Sequence, residues 1–206
     1  MRYLRKKNKG WTVKNQRPEE LLGDPSLYYT EDEIERYARS STMKKVQHKI
    51  AMRILQILNL KKKSLILDLG SGPGLTAEVY RDDGHIVVCL DVLEKMLNKA
   101  KEKGFECVKG DMRDLINLFP NRKFDAIVSA SAIQWLKNEE DIESLAKGIF
   151  HIMKNDACCI IQFYPKTEQE LKVFAYMFKK MGFSAEIIID QPDNPKKRTI
   201  FLVLKK

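Results

Sequence analysis

The sequence predicts an α/β fold: a mostly parallel, seven-stranded sheet with an antiparallel C-terminal strand and helices on both faces. From residue 64 onward, apolar runs of strand length alternate with amphipathic segments of helix length, as in doubly wound sheets. The last two apolar runs, 184–190 and 199–204, are joined by a short polar segment instead of a helix. They are therefore expected to form a hairpin, which makes the end of the sheet antiparallel.

The individual elements follow from apolar spacing and capping residues. Thr30 and the acidic residues after it form a capping-box pattern, which predicts a short helix through Tyr37. A longer helix is predicted over 43–59. Beyond it, strands are predicted at 64–69, 86–90, 105–109, 124–129, 157–163, 184–190 and 199–204, and helices at 75–82, 94–103, 139–153 and 168–181.

A length of 206 residues predicts one domain with a full core. We expect a flexible basic extension at 1–17 and a single domain at 18–206, in which 18–63 form a helical lid region and 64–206 the core. No apolar run is long enough for a membrane span, and no signal-peptide core is present. The cysteines and histidines lack metal-ligand spacing, so no metal is expected and the cysteines are predicted to be reduced thiols of an intracellular protein.

The formal net charge of +9 is concentrated at the two ends of the chain. Residues 1–17 carry seven lysines and arginines and no acid, and residues 196–206 carry five and no acid. Basic ends of this kind favour a polyanionic partner such as RNA. The alternative is that lysine-rich ends only increase solubility.

The residues most informative about function form an apolar run that contains Asp68 and continues into three glycines at alternate positions, Gly70, Gly72 and Gly74. Glycine is expected there because a Cβ would block a ligand's approach to the backbone. Asp91 closes the next apolar run, where a carboxylate can accept ribose hydroxyls. Together these features look like motif I of the class I S-adenosylmethionine (SAM) methyltransferases. The alternative is an ordinary strand–helix turn with Asp91 as a helix N-cap.

A ligand of an open α/β sheet lies beyond the carboxyl ends of the strands. We therefore expect Asp68 near the cationic amino acid of SAM, Asp91 at the ribose, and Asp111 and Met112 at the adenine. Met96 is expected either to touch the adenine or to be a core methionine, and Asp111 is alternatively a turn residue. The predicted SAM-binding set is Asp68, Gly70, Ser71, Gly72, Gly74, Asp91, Val92, Met96, Asp111, Met112 and Ser129.

The segment after the fourth strand, from Ser129 to Trp135, bears on the reaction. It contains neither the Asn/Asp-Pro-Pro-aromatic sequence of amino-group methyltransferases nor a Lys, Asp or His that could act as a general base. This pattern suits acceptors that need no deprotonation, such as guanine N7; the alternative is a general base supplied by another segment of the chain. We predict catalysis by positioning, through Ser129, Gln134, Trp135 and Tyr29. Trp135 is expected to stack on an extruded base at about 1–3 kcal/mol, or else to pack beneath the loop.

Over about residues 17–204 the chain resembles the small-subunit rRNA (guanine-N7)-methyltransferases of ribosome biogenesis, and among these the archaeal members. The matching segments are 17–20, 28–37, 66–72, 90–92, 129–136, 162–165 and 182–184, together with the last strand. The resemblance implies a Rossmann-like class I methyltransferase fold, SAM as cofactor, and methyl transfer to N7 of one guanine in a maturing small ribosomal subunit.

The resemblance also implies a partner and a location. A small zinc-binding activator protein would add a strand beside the third strand, from Phe105 to Lys109, with Phe105 and Val108 at the interface; the alternative for these two residues is ordinary core packing. An archaeal member would be cytoplasmic, and a eukaryotic one nuclear or nucleolar. The alternative function is methylation of a small carboxylic acid or other small molecule, because such enzymes have a similar Leu/Ile-Gln-Trp after the fourth strand, here ending at Trp135.

Overall fold

The computed structural model describes residues 11–13 and 16–206. Its helices are α1 Pro18–Leu22, α2 Pro25–Tyr28, α3 Glu31–Arg39, α4 Ser41–Leu58, α5 Leu75–Asp82, α6 Glu94–Glu102, α7 Leu115–Leu118, α8 Glu139–Ile152 and α9 Glu168–Lys180. Its strands are β1 Leu65–Leu69, β2 Ile86–Asp91, β3 Glu106–Lys109, β4 Phe124–Ala130, β5 Met153–Phe163, β6 Ser184–Asp190 and β7 Thr199–Lys205. Short 3-10 helices lie at Met112–Asp114 and Ile133–Trp135.

The strands form one sheet in the order β3-β2-β1-β4-β5-β7-β6. β1 pairs in parallel with β2 and β4, and β4 pairs in parallel with β5. β7 is antiparallel to both of its neighbours, β5 and β6. The predicted fold class is therefore confirmed. Because β1 and β4 are adjacent while β2 and β3 continue in the other direction, the strand order reverses beside the carboxyl end of β1, where ligands of such sheets bind.

Each face of the sheet has its own apolar core, because successive side chains of a strand point to opposite faces. In β1, Leu67 and Leu69 pack with residues of α7, α8 and α9, whereas Ile66 packs with residues of α4, α5 and α6. Asp68 shares the second face and is therefore directed towards α5. The alternation of β1 thus buries one carboxylate within an otherwise apolar layer.

Several boundaries differ from those predicted. β5 begins at Met153, directly after α8, although the apolar run suggested residue 157. The short helices α1, α2 and α7 were not predicted, because helices of four or five residues lack a readable period. Thr30 caps α3 by accepting from the Glu33 N–H at 3.4 Å, but Glu33 pairs with Arg36, so the predicted capping box is only half formed.

Part of the predicted N-terminal extension lies against the body of the protein. Thr12 forms a β-bridge with Thr167, and the Val13 N–H donates to the carbonyl oxygen of Lys166 at 2.9 Å. These contacts place residues 12 and 13 against the loop before α9, and the flexibility expected for 1–17 stays a prediction. Residues 1–10, 14 and 15 lie outside the described residues.

Three observations concern features predicted to be absent. Over residues 11–13 and 16–206, none of the helices is long and apolar enough to cross a membrane. The same residues contain no cluster of three or more histidine, cysteine, aspartate or glutamate side chains arranged to hold a metal ion. All four cysteines are free thiols.

Candidate functional site

A cavity of about 280 Å³ lies at the carboxyl ends of β1, β2 and β4. Its walls come from the N-terminal helical segment, the glycine turn after β1, the end of β2, and the loops after β3 and β4. The lining residues are 23–25, Tyr29, Tyr37, Gln47, 70–73, Leu75, Thr76, 90–93, Met96, 110–113, 130–132, 135–137 and Asp141.

The glycine turn needs glycine for its backbone conformation. Gly70, Gly72 and Gly74 have φ angles of 69°, 55° and 74°, in the left-handed region that disfavours side chains. A Cβ on Gly70 would also come within 2.3 Å of the Ala132 Cβ. Gly74 is the N-cap of α5 and does not line the cavity, so the predicted contact between it and SAM is not supported.

Asp91 is held in place by backbone donors at the cavity wall. Its carboxylate accepts from the Gly72 N–H at 2.8 Å and from the Leu93 N–H at 2.9 Å. Burial raises the pKa of this carboxyl, and the hydrogen bonds from Leu93 and Gly72 oppose that rise. Each carboxylate oxygen can accept further hydrogen bonds, so Asp91 presents fixed acceptors to a pair of ligand hydroxyls.

Asp68 lies behind the cavity wall. It is 1% exposed and accepts a hydrogen bond from the Thr76 hydroxyl at 2.6 Å, and Thr76 itself lines the cavity. Burial raises the pKa of Asp68 to about 7; the Thr76 hydrogen bond lowers it and the nearby charge of Asp91 raises it further. Asp68 can therefore act on a cationic ligand through its charge and through Thr76, but not by the direct contact that the motif suggested.

The loop after β3 contributes Asp111 and Met112 to the cavity, as predicted. The Asp111 carboxylate forms a two-point ion pair with the Arg113 guanidinium, and Arg113 also donates to Asp141 at 2.9 Å. This pairing holds the pKa of Asp111 below its usual value. Asp111 is thus both the turn residue and a cavity residue, with only its remaining lone pairs open to an adenine amino group.

Met96 and Val92 also line the cavity. Met96 is only 3% exposed, and its sulfur lies 3.9 Å from the position that a Cβ on Gly72 would occupy. It therefore belongs to the core and to the cavity wall at once, and its contact with the adenine stays a prediction. Val92 is exposed beside it.

Two residues predicted to position the acceptor lie away from the cavity. Ser129 is fully buried and its hydroxyl donates to the carbonyl oxygen of Leu69 at 2.9 Å, which ties β4 to β1. Gln134 donates to the carbonyl oxygen of Ser131 at 2.8 Å and lines a neighbouring cleft with Arg17 and Lys166. Ser129 is therefore a structural residue, because a side chain enclosed between two strands cannot reach a ligand.

An aromatic cluster forms the wall opposite the glycine turn. The ring centroid of Trp135 lies 6.3 Å from that of Tyr28 and 6.2 Å from that of Tyr29, and Tyr29 lies 6.1 Å from Tyr37. Tyr29, Tyr37 and Trp135 line the cavity. Burial raises the pKa of Tyr29 well above its usual value and that of Tyr37 to about 12, so both hydroxyls are neutral at pH 7.

Gln47 and Tyr37 also belong to the site, although the sequence pattern does not predict a role for them. Gln47 is 5% exposed, and its amide nitrogen donates to the Tyr37 hydroxyl at 3.0 Å. Its amide oxygen has no hydrogen-bond partner among the described residues. The sequence feature that identifies Gln47 is its place on α4. It is a polar residue on the buried face of this helix, and the other residues of that face are apolar: Ile50, Ala51, Ile54 and Leu58.

These features suit SAM. The buried oxygens of Gln47 and Ser71 have no partner within the described part of the chain, and buried polar atoms of this kind are normally satisfied by a ligand or water. Gln47 can accept from an ammonium group, Asp91 can accept from ribose hydroxyls, and Met112 offers an apolar surface to a ring. The cavity thus contains groups that suit the ammonium, the ribose and the adenine ring of SAM.

Comparisons with known proteins agree with this description. The family described as "Methyltransferase domain" matches residues 67–161. The 18S rRNA (guanine-N(7))-methyltransferase of Bos taurus is 32% identical over 203 residues, which cover 93% of this chain and 72% of that protein. The malonyl-acyl-carrier-protein O-methyltransferase of Hamiltonella defensa is 36% identical over only 92 residues, 44% of this chain and 35% of that protein.

Among solved structures, the TehB-like SAM-dependent methyltransferase from Corynebacterium glutamicum has a TM-score of 0.68 at 20% identity, and the match covers 86% of this chain and all of that one. The likeness to the small-molecule enzyme spans less than half of either chain, whereas the likeness to the rRNA enzyme spans most of both. The predicted family and cofactor are thereby confirmed. The chain is a class I SAM-dependent methyltransferase and belongs to the family of 18S rRNA (guanine-N7)-methyltransferases.

Proposed function

We propose that this protein transfers a methyl group from SAM to N7 of a guanine in small-subunit ribosomal RNA. The observation that carries the proposal is the composition of the cavity wall opposite the glycine turn. It combines aromatic rings that can hold a base, Tyr29 and Trp135, with the absence of a free general base among the described lining residues.

The carboxylates of the cavity accept hydrogen bonds, and its tyrosines are neutral. Asp91 is held by backbone N–H groups, Asp111 and Asp141 by Arg113, and Asp24 by the backbone N–H of Ser26. The Tyr29 hydroxyl stays protonated because burial raises its pKa. Guanine N7 carries a lone pair in the ring plane and loses no proton before it attacks, so such a site can methylate it without a general base.

The contribution of the protein is then positioning. SAM supplies an electrophilic methyl group on its sulfonium. Asp91 would hold the ribose and Gln47 the ammonium group of SAM, and Trp135 and Tyr29 would hold the guanine ring with N7 in line with the methyl–sulfur bond at ~3 Å. Alignment of this kind can supply a large share of the rate enhancement without acid–base chemistry.

The test is transfer of labelled methyl from SAM to small ribosomal subunits from a strain that lacks the gene, with N7-methylguanine mapped by borohydride–aniline cleavage. A single cleavage site is the expected result. Bound SAM with no label in rRNA would overturn the proposal and favour the alternative, a small carboxylic acid or other small molecule. Malonyl and aconitate esters would then be the first products to seek.

We also propose that a small zinc-binding activator protein adds a strand to β3. The support is that β3 is an edge strand of the sheet, with one side free for pairing among the described residues. Val108 is half-buried there, whereas Phe105 precedes the strand, is 8% exposed and packs beneath the Arg81 guanidinium. The burial of Phe105 favours the alternative of ordinary core packing for this residue, and the interface role stays a prediction for Val108.

Hydrogen exchange tests this contact. Amides of Glu106–Lys109 that do not pair with β2 should become protected when the activator protein is added. Protection confined to another surface would contradict the proposed edge pairing. The methyltransferase and its activator protein would act where small ribosomal subunits assemble, which is the cytoplasm in an archaeon and the nucleus or nucleolus in a eukaryote.

A further inference from the structure

Helix α4 and the turn that follows it contain no acidic residue. Between Ser40 and Ser64 the chain carries seven lysines and arginines and no aspartate or glutamate. The buried face of α4 packs on the sheet, which leaves Lys44, Lys45, His48 and Lys49 exposed on the outer side of its N-terminal half. This half lies next to the cavity, because Gln47 is part of the cavity wall.

Several lysines of the other surface helices pair with acids, although Lys101, Lys179 and Lys180 form no ion pair among the described residues. Lys147 pairs with Glu143 within α8, and Lys172 pairs with Glu168 within α9. Lys95 and Lys99 of α6 pair with Glu31 and Glu35 of α3, while Lys103, just after α6, pairs with Glu78. Lysines added only for solubility would be expected to follow the same pattern.

On α4 the pattern is different. Among the described residues, Lys44, Lys45 and Lys49 form no ion pair, and Arg53 alone on this helix pairs with an acid, Asp190, at 2.8 Å. The N-terminal half of α4 therefore presents an uncompensated positive charge to solvent. Such a surface attracts polyanions.

The Arg53–Asp190 ion pair brings a second basic segment to α4. β6 runs parallel to β5, since both are antiparallel to β7, so Asp190 lies at the same edge of the sheet as the cavity. The β6–β7 turn that follows carries exposed Lys196 and Lys197, with Asp193 as its one further acid. Lys49 lies one helical turn from Arg53, on the side towards the cavity.

A further contact of the β6–β7 turn involves Trp11, the first of the described residues. The Arg198 guanidinium donates to the carbonyl oxygen of Pro192, which closes the β6–β7 turn, and lies 4.7 Å from the centre of the Trp11 ring. The ten residues before Trp11 carry five lysines and arginines and no acid. The N-terminal segment therefore joins the body of the protein beside the β6–β7 turn.

We infer that Lys44, Lys45, His48 and Lys49 together with Lys196 and Lys197, here called the basic face, bind the phosphate backbone of the RNA that flanks the methylated guanine. The inference rests on the proposed function and adds to it the surface that holds the substrate. Backbone contacts orient an RNA on the enzyme without reading its sequence. The basic face thus supplies affinity, while the aromatic cluster receives the base.

The test compares two triple variants of equal charge change. One is Lys44→Gln/Lys45→Gln/Lys49→Gln on the basic face. The matched control is Lys61→Gln/Lys62→Gln/Lys63→Gln, which lies just before β1, at the opposite edge of the sheet from the cavity. All six lysines are exposed. Binding to small-subunit rRNA from a strain lacking the gene is measured across a salt titration, together with SAM affinity and thermal unfolding of each protein.

We expect the basic-face variant to reduce the slope of log affinity against log salt by about 2–3 and to weaken rRNA binding at least 10-fold at low salt, with SAM affinity unchanged. The control should stay within about twofold of the unchanged protein. Equal losses in both variants, or no loss in the first, would overturn the inference while methylation by the unchanged protein upholds the proposed function. If the unchanged protein neither binds nor methylates rRNA, the inference and the proposed function are both contradicted.

Discussion

One wall of the cavity, formed by residues 70–72 and 91–93, consists largely of backbone, whereas the opposite wall consists of side chains from separate segments. On the first wall, Gly72 and Leu93 hold Asp91 through their N–H groups. On the second, Tyr29, Tyr37 and Trp135 meet although more than 90 residues separate Trp135 from the two tyrosines. We call these the backbone wall and the aromatic wall.

The difference between the two walls matches the two molecules that the site binds, the cofactor and the acceptor base. A cofactor that is the same in every turnover can be held by a rigid turn whose geometry depends on glycine and on one carboxylate. An acceptor base presents an apolar ring face, which aromatic side chains recognise by stacking. We therefore expect variants of the backbone wall to change SAM affinity and variants of the aromatic wall to change methylation of RNA.

The largest effect is expected at the backbone wall. Asp91→Asn should weaken SAM binding ~100-fold or more, because hydrogen bonds to a charged acceptor contribute about 1.5–3 kcal/mol each. Isothermal titration calorimetry measures this affinity. An amide at this position can still accept from one of the two N–H groups, so circular dichroism should show an intact fold. Retained SAM affinity would contradict the assigned role of Asp91.

Asp68, which lies behind the backbone wall, separates the effect of a carboxylate on stability from its effect on SAM binding. Its folded-state pKa of about 7 exceeds the unfolded value of ~3.9, so the folded protein keeps a proton that the unfolded chain has lost between these values. Stability from this group therefore falls as pH rises from about 4 to about 7. Asp68→Asn should increase the free energy of unfolding at pH 8 by on the order of 2 kcal/mol and weaken SAM binding.

Urea unfolding without SAM at pH 4 and pH 8 checks this expectation, with Asp125→Asn as the control. Asp125 is paired with Lys154 and its pKa is lowered, so that variant should lose stability at pH 8. A variant at Asp68 that is less stable than the unchanged protein at pH 8 would show that the buried carboxylate stabilises the fold.

At the aromatic wall, Trp135→Ala should lower kcat/KM for rRNA by about 10- to 30-fold, since stacking on one base contributes ~1–3 kcal/mol. SAM affinity should change less than threefold. Trp135→Phe keeps an aromatic face and should recover most of the activity. Equal losses in SAM affinity and in rRNA methylation would mean that the two walls do not act separately.

Gln47 lies where the backbone wall and the aromatic wall meet. It therefore tests whether SAM affinity and RNA methylation depend on separate residues. Gln47→Leu removes the unpartnered oxygen and should weaken SAM binding by about 10-fold, as expected for one hydrogen bond to an ammonium. Tyr37→Phe removes only the acceptor of the Gln47 N–H and should cost about threefold. An effect of Gln47→Leu on rRNA affinity with unchanged SAM affinity would assign this residue to the aromatic wall.

The backbone wall was largely predictable because its chemistry is local in sequence. The alternating glycines, Asp91 at the end of an apolar run, and the residues after β3 each follow a strand, and parallel strands end at one edge of the sheet. The errors concern the direction of side chains in the strands next to this wall. Period-2 alternation sends Asp68 into the layer beneath α5, and the buried Ser129 hydroxyl donates to the carbonyl oxygen of Leu69 instead of lining the cavity.

The aromatic wall shows what required the tertiary structure. Trp135 and Tyr29 were predicted as acceptor residues, but the roles of Tyr37 and Gln47 depend on how α3 and α4 pack over the sheet, which has no local sequence signature. The same holds for the basic face. The lysines of α4 and the β6–β7 turn come together only because the Arg53–Asp190 pair joins elements 137 residues apart.

The sequence by itself determined the alternation of strands and helices, the glycine turn and the residue types of the site, because each depends on neighbours within about one strand or helix. The tertiary structure alone decided which side chains reach the cavity, which carboxylates are buried or paired, and which lysines are left without acids. Those properties depend on burial and on contacts between distant segments, and a linear pattern does not contain them.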